Sequence, residues 1–251
     1  MCDIRNPKIG FKHFPGFSLL FDNPGRGNLS PLCSRFLQVN AQVKGNDTKE
    51  LTLYKELKKS LDEIKSELRH YLFFELPVYS YHVTVWDGLN NNNKEAVFEH
   101  YHPALTEFLL NLPTALLEKY CFTTMAESSS LVKFNDWIFF KFKELHIWGS
   151  TVLVARLQPV DEDSKKALEQ IETNRRKLYE KFKTQFGLEK WMDYVPHVSL
   201  GYFGNKQKGE EAQDQLKTWN KIFGKQVDCD IHFSKISLYG FSDMETYFKA
   251  V

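Results

Sequence analysis

The feature that most restricts how this chain can fold is a short apolar segment carrying His-Val-Thr or His-Val-Ser, which occurs twice. The first copy is YHVTVWDG (81–88) and the second is YVPHVSLGYF (194–203). Apolar residues at helical spacing precede each copy, in segments 48–70 and 161–186. Helices and short strands alternate here without uniform βαβ spacing. We therefore predict an α+β fold with two similar lobes, formed by residues 1–251 as a single bilobal domain.

Further elements follow from the same periodicities. Runs rich in β-branched and aromatic residues predict strands at 15–22, 36–43, 131–142, 147–159 and 231–241. Helical spacing predicts two more helices, at 94–110 and 210–223. A turn is expected at about 143–146, between two of the strands.

The two repeated segments each place one imidazole and one hydroxyl on the same strand face. In a strand, residues i and i+2 project from one side, so His82 points with Thr84 and His197 points with Ser199. Val83 and Val85 in the first copy, and Val198 and Leu200 in the second, face the opposite side and pack against the helices. If the strands lie side by side, two imidazoles and two hydroxyls converge on one cleft.

This set of side chains suits phosphoryl chemistry without a metal or other cofactor. A neutral imidazole takes a proton from an attacking hydroxyl or water, and a protonated one donates to the leaving oxygen. With an ordinary pKa of about 6.5, histidine fills either role near neutral pH. The hydroxyls of Thr84 and Ser199 would donate hydrogen bonds to the non-bridging phosphoryl oxygens. We therefore expect His82, Thr84, His197 and Ser199 to be catalytic, with either histidine as the acid.

Two other interpretations of the histidines stay open at this point. His is followed two positions later by Ser or Thr in roughly one case in eight by chance, so eight histidines give about one such tripeptide. This chain has a third, at His232 and Ser234, but its strand face also carries Asp230 and suits solvent. Alternatively, His82 and His197 are partly buried structural residues on separate strands.

Paired H-x-[ST] strands in a bilobal α+β chain resemble the two-histidine phosphoesterase superfamily, which includes the bacterial RNA 2′,3′-cyclic phosphodiesterases often called RNA ligase-like proteins. The stretches FPGFSLL, YHVTVWDG and ARLQPVDED resemble a little-characterised branch of it. The resemblance implies two antiparallel sheets flanking a central cleft, with helices outside. It also implies metal-independent catalysis on 2′,3′-cyclic phosphates or related phosphodiesters.

Three residues near the motifs are candidates for substrate binding. By strand alternation Trp86 shares the face of His82, and Tyr202 reaches the rim of the cleft if the strand breaks at Gly201. Either ring could stack on a base, although packing in the core is the alternative. Lys143, on one strand face with Lys141, could hold a phosphate, although solvated surface lysines are the commoner case.

Charge and composition narrow the choice of partner. The 33 Lys and Arg nearly balance the 32 Asp and Glu, for a formal net charge of +1. Arg175, Arg176 and Lys177 are interpreted as the solvated face of the helix at 161–186. Without a basic stripe, a small nucleotide or short RNA end fits better than a long duplex.

The remaining composition indicates a cytoplasmic monomer without a membrane segment. Four cysteines lie far apart with no C-x-x-C pair, which favours a reduced chain without a zinc site. The N-terminal residues show no apolar signal region, and no window has enough apolar residues to span a membrane.

The favoured function is therefore a phosphodiesterase acting on a 2′,3′-cyclic nucleotide or a cyclic-phosphate RNA end. Hydrolysis of another cyclic nucleotide or cyclic dinucleotide signal is the alternative within the enzyme class, because a fold does not specify a substrate. A nucleotide- or RNA-binding module without turnover is the alternative outside that class. A structural adaptor that binds protein through its aromatic surface is a third.

Overall fold

The computed structural model describes residues 11–25, 29–39, 49–189 and 193–251. Within them the strands form two antiparallel sheets, sheet A with six strands and sheet B with five. Across sheet A the strands are β2 (Leu29–Cys33), β3 (Phe36–Val39), β11 (Tyr247–Ala250), β10 (Ile236–Phe241), β1 (Gly16–Phe21) and β5 (Thr84–Asn90). Across sheet B they are β4 (Phe73–Glu75), β8 (His197–Phe203), β7 (Val152–Pro159), β6 (Ile138–Trp148) and β9 (Asp230–Phe233).

Helices pack around these sheets, which confirms the predicted α+β class. The α-helices are α1 (Thr52–Glu63), α2 (Lys65–His70), α3 (His102–Leu110), α4 (Cys121–Glu127), α5 (Glu162–Phe186), α6 (Lys206–Ala212) and α7 (Leu216–Gln226). None of the helices in the described ranges is long and apolar enough to cross a membrane. The assignment of the whole chain to one bilobal domain stays a prediction.

Helix α5 matches the helix predicted at 161–186, because its sequence carries both end signals. The Asp161 carboxylate accepts a hydrogen bond from the Ser164 amide at 2.7 Å, and Gly187 adopts the left-handed conformation that ends the helix. The helix predicted at 94–110 is regular only from His102 onward. The Phe98 amide donates a hydrogen bond to the Phe186 carbonyl at 2.7 Å, which holds Phe98 at a non-helical ψ of 137°. The predicted helix is therefore interrupted at Phe98.

The predicted turn at 143–146 is wrong, because β6 continues through it to Trp148. The β6–β7 connection lies at Gly149 and Ser150, whose φ angles are 54° and 56°. Two successive residues of positive φ form the type of tight turn that matches the twist of a hairpin.

The strand predicted at 231–241 is two strands in different sheets. β9 pairs with β6 in sheet B, whereas β10 pairs with β1 and β11 in sheet A. The chain crosses between the sheets at Ser234 and Lys235, where the Lys235 carbonyl accepts from the Asp22 amide at 2.9 Å. Of the strand predicted at 36–43, residues 36–39 form β3 and residues 40–43 lie outside the described ranges.

One buried apolar cluster draws on both sheets and on α5. Phe17 enters it from sheet A, Val83 from the residue before β5, Val198 from sheet B, and Phe182 from the helix. Val83 and Val198 are the central residues of the two His-Val-Thr/Ser motifs, and both are fully buried. The apolar side of each motif is therefore anchored in the core, so the histidines face away from it.

Candidate active site

The two motifs lie on different sheets and meet at one cavity. His82 lies two residues before the start of β5, the edge strand of sheet A, and His197 begins β8 between β4 and β7 of sheet B. A cavity of about 60 Å³ has both Thr84 and His197 in its wall. Thr84 of the first motif and His197 of the second therefore share one cavity wall. The convergence of both imidazoles and both hydroxyls on one cleft stays a prediction.

Each imidazole is held by a hydrogen bond to its own backbone. Nδ1 of His82 lies 2.7 Å from the carbonyl oxygen of Ser80, and Nδ1 of His197 lies 2.9 Å from that of Val195. A carbonyl oxygen only accepts, so Nδ1 carries the hydrogen and donates it. In the neutral ring the basic lone pair is then on Nε2. Both histidines thus have the same tautomer, fixed by the carbonyl two residues earlier.

An aromatic ring supports each imidazole at the same separation. The ring of His82 packs on Tyr247 and that of His197 on Trp148, with 4.2 Å between ring centroids in both pairs. Neither aromatic residue was predicted to be near the motifs. They come from β11 and from the end of β6, so nothing in the local sequence of either motif indicates them.

Both motif strands contain a β-bulge directly after the hydroxyl residue. In β5 the pairing with β1 shifts at Val85, and in β8 the pairing with β7 shifts at Leu200. A bulge inserts one residue and reverses the alternation beyond it. As a result, the third residue after each hydroxyl returns to the hydroxyl's face.

The bulges decide where two predicted substrate-binding residues lie. The prediction that Trp86 shares the face of His82 is wrong, because the bulge turns Trp86 into the core. There the side chain is fully buried, with its ring centroid 4.7 Å from that of Phe182. Tyr202, by contrast, is on the face of His197, and its hydroxyl donates to Sδ of Met244 at 3.0 Å. A contact between Tyr202 and substrate stays a prediction.

The predicted substrate-binding residue Lys143 is not brought to the cavity, and the rival His232 is not part of its wall either. Lys143 is the extra residue of a bulge in β6; its side chain is exposed and is not part of the cavity wall. The structure therefore gives no support to the prediction that Lys143 binds a phosphate. His232, the rival histidine, lies on the far edge strand β9 between the rings of Trp137 and Phe139.

Asp87 and Arg175 line the cavity but were missed as site residues. Asp87 reaches the Thr84 face through the bulge in β5.

Arg175 was interpreted as solvated but is only 4% exposed, which corrects that interpretation. Its Nε donates a hydrogen bond to the carbonyl of Val85 at 2.6 Å. Arg175 therefore attaches α5 to the bulge residue of β5. A signal was present: Ile171, Arg175 and Leu178 follow each other at the spacing of one helix face.

The cavity continues past Arg175 to the segment before β8. The guanidinium carbon of Arg175 lies 4.5 Å from the centre of the Tyr194 ring, and Asp193 and Val195 complete this wall. Nη1 of Arg175 donates to Glu172 at 2.7 Å, so the arginine is fixed from its own helix as well.

Burial lowers the pKa of both imidazoles, but their charged neighbours differ. At His82 burial lowers the pKa to about 4, against the effect of the Ser80 carbonyl, and a charge on His197 lowers it further. Burial also lowers the pKa of His197, where the Val195 carbonyl and then the Asp87 carboxylate oppose the decrease. The pair therefore holds a single proton more readily than two, and His197 is the better placed to hold it.

The hydroxyls of Thr84 and Ser199 are half-buried and make no hydrogen bond to any residue in the described ranges. They are therefore available to donate to a ligand between the histidines. Among the described residues, no group of three or more His, Cys, Asp or Glu side chains is placed to hold a metal ion.

Comparison with known proteins shows a likeness of fold. No protein-family model matches the sequence, and no curated protein matches it. The chain is similar to a solved structure of a conserved protein of unknown function, ATU0111 from Agrobacterium tumefaciens, with a TM-score of 0.52 and 12% identity over 96% of this chain and 86% of that one.

Two structures of Usb1 from Kluyveromyces marxianus align more weakly, one of them determined with uridine monophosphate. Their TM-scores are 0.41 and 0.38, each at 10% identity, over 97% and 86% of this chain and 100% and 97% of theirs. The likeness to ATU0111 concerns the fold alone, and the Usb1 alignments are too weak to support a conclusion about activity.

Proposed function

We propose that this chain is a metal-independent phosphodiesterase that acts on a 2′,3′-cyclic nucleotide or a cyclic-phosphate RNA end. One observation carries the proposal: His82 and His197, from the motifs of different sheets, are held in the same tautomer and lie close enough together for a charge on His197 to lower the pKa of His82. An acid–base pair of imidazoles is the arrangement that transfers two protons in a phosphodiester hydrolysis near neutral pH.

The reaction requires one proton to leave the nucleophile and one to reach the leaving group. Nε2 of one histidine takes a proton from water as the water oxygen bonds to phosphorus. The bond from phosphorus to a ribose oxygen breaks, and the other histidine donates its Nε2 proton to that oxygen. The product is a nucleoside monophosphate with a free hydroxyl. Hydrogen bonds from Thr84 and Ser199 would stabilise the charge on the non-bridging oxygens.

The size of the cavity favours binding through the phosphoryl group. Its volume of about 60 Å³ is less than half of the ~150 Å³ that accommodates a benzene ring in an engineered protein core. A nucleobase is therefore expected to lie outside it, on the open side of the cleft. The near balance of charge over the chain agrees with a ligand that carries few phosphates.

The test is turnover of 2′,3′-cyclic, 3′,5′-cyclic and cyclic-dinucleotide substrates and of RNA ending in a 2′,3′-cyclic phosphate, with EDTA present. We expect hydrolysis of a 2′,3′-cyclic phosphate by the wild type. Loss of general acid–base catalysis in His82→Gln or His197→Gln should lower kcat by roughly 10²–10⁴-fold.

The chain supplies a matched control in His232→Gln, which alters a third His-x-Ser motif remote from the cavity. We expect it to retain full activity, and thermal unfolding should show that all three variants are folded. Unchanged turnover in both His82→Gln and His197→Gln would reject the proposal. Nucleotide binding that survives both substitutions, with no product from the wild type, would favour the non-catalytic binding module.

A further inference from the structure

Asp87 is the one carboxylate that the motif strands themselves present to the cavity, within the described residues. It lies three positions after Thr84, and the bulge at Val85 returns it to the Thr84 face. Asp87 and His197 both line the cavity, although they come from different sheets. Arg175 holds the carbonyl of Val85 and so fixes the bulge on which this placement depends.

The second motif has no corresponding charge. Its bulge at Leu200 brings Tyr202 to the position that Asp87 occupies in the first motif. Burial raises the pKa of Tyr202 to about 12, so this side chain is neutral at physiological pH. Two strands of the same local geometry therefore present one anion and one neutral phenol.

We propose that Asp87 is a positioning residue for the phosphodiesterase reaction proposed above, on which this inference rests: its carboxylate favours the charged imidazolium of His197. His197 is then the acid, and its Nε2 proton goes to the ribose oxygen as the bond from that oxygen to phosphorus breaks. His82 is the base, and its Nε2 takes the proton of the attacking water. The carboxylate touches no reacting atom and acts through His197.

The other charged groups around His197 are largely arranged in pairs. Arg156, the cross-strand partner of His197, donates to Glu144 at 2.8 Å, and Arg175 donates to Glu172 at 2.7 Å. Among the described residues, the other titratable groups that face this imidazole are His82 from the other motif, His146 on β6, Tyr202 on β8 itself, Asp193 and Tyr194 in the cavity wall, and Asp87. Because the two arginines are each paired with a carboxylate, removal of Asp87 makes the surroundings of His197 more positive.

The first experiment is the pH dependence of kcat/KM for a 2′,3′-cyclic nucleotide in wild type, Asp87→Asn and Asp87→Glu. The alkaline limb of the profile reports the acid and the acidic limb reports the base. In Asp87→Asn the alkaline limb should move to lower pH by about one unit, with about tenfold lower activity on that limb. The acidic limb should stay in place, and Asp87→Glu should recover most of the loss.

A substrate that needs no acid separates this role from a structural one. A nucleoside 3′-(4-nitrophenyl phosphate) releases a phenolate that leaves without a proton, so Asp87→Asn should hydrolyse it at the wild-type rate to within about twofold. The control is Asp230→Asn, the same substitution at an exposed carboxylate on the far edge strand β9. The inference would be overturned by any of three results. These are an equal loss of activity on both substrates, an alkaline limb that does not move, and an Asp87→Glu variant as impaired as Asp87→Asn.

A second measurement does not depend on turnover. Titration of the imidazole carbon-bound protons by NMR in the free protein should give a lower midpoint for His197 in Asp87→Asn than in wild type, with His82 changed less. No change at His197 in an active enzyme would reject the role of Asp87 and leave the phosphodiesterase proposal intact. The expected shift in a protein without turnover would reject the phosphodiesterase proposal but support the link between Asp87 and His197.

Discussion

The first and second motifs hold their histidines through the same kinds of contact. In each, Nδ1 of the histidine donates to the carbonyl two residues earlier, and an aromatic ring packs 4.2 Å from the imidazole. A bulge follows each hydroxyl residue, at Val85 in β5 and at Leu200 in β8. Only the hydroxyl residue and its surroundings differ.

Those surroundings make the two sites unequal. β5 is an edge strand whose bulge is held by Arg175 from α5, whereas β8 is paired on both sides. The first motif presents the Asp87 carboxylate and the second presents the Tyr202 phenol. The backbone therefore duplicates the support of the two imidazoles, whereas only His197 has a carboxylate, that of Asp87, which opposes the decrease of its pKa on burial.

The largest effect expected in this comparison is on the two hydroxyls. Thr84 lies in the cavity wall with His197, whereas Ser199 does not. Because a hydrogen-bond donor already fixed at the developing charge contributes most to catalysis, Thr84→Val should lower kcat by roughly 10²-fold and Ser199→Ala by less. Steady-state kinetics on the preferred substrate measures both, with unfolding curves to confirm unchanged stability. Equal losses would mean that the two motifs share the phosphoryl oxygens evenly.

The face of His197 was predictable from the sequence, but the faces of the residues beyond each motif were not. Alternation correctly places His197 with Ser199 because no bulge lies between them. It fails for Trp86, since one inserted residue at Val85 reverses every face that follows. The glycine at position 88 signals an irregular strand without showing where the alternation changes.

Long-range partners were outside the reach of sequence patterns. Arg175 has the spacing of a core residue, but its partner, the carbonyl of Val85, belongs to an edge strand 90 residues earlier in the chain. Tyr247 reaches His82 through the order of strands in sheet A, and that order is not encoded in any single segment. The switch from β9 to β10 is marked in the sequence only by the two polar residues Ser234 and Lys235 between two apolar runs, which does not show that the runs join different sheets.

A second prediction tests whether the two bulged strands depend equally on close backbone approach. A Cβ at Gly88 would lie 2.1 Å from the carbonyl oxygen of Phe17, and a Cβ at Gly201 would lie 2.4 Å from that of Phe74. Backbone atoms cannot rotate away, so Gly88→Ala and Gly201→Ala should each lower the free energy of unfolding by ~3 kcal/mol. Urea unfolding followed by circular dichroism measures this.

The control for the glycine variants is Gly224→Ala in α7, where an added Cβ meets nothing within 4 Å. Replacing a helical glycine with alanine there should raise stability by about 0.5–1 kcal/mol. Gly88→Ala without loss of stability would show that β5 can move away from β1. The edge motif would then be the more adaptable of the two.

The smallest expected effect compares the two imidazoles through the pH dependence of stability. Burial lowers the pKa of His82 from 6.5 to about 4, so the unfolded chain binds more protons than the folded one between these values. The contribution of neutral His82 to the free energy of unfolding is therefore fully present above about pH 6.5 and decreases as the pH falls toward 4. Allowing for partial solvent exposure, the loss attributable to His82 is ~2 kcal/mol.

Urea unfolding near pH 7.5 and near pH 4.5 isolates this contribution when the wild type is compared with His82→Gln and His197→Gln, since other carboxylates titrate alike in all three. His82→Gln should remove more of the acid-induced loss than His197→Gln, because the Asp87 carboxylate already opposes the lowered pKa of His197. Adding Asp87→Asn to each variant sharpens the test. The added Asp87→Asn should increase the acid-induced loss of stability in His82→Gln, because His197 is still present there. In His197→Gln the same addition should leave that loss nearly unchanged. If both respond alike, Asp87 acts on the site as a whole and the two motifs are electrostatically equivalent.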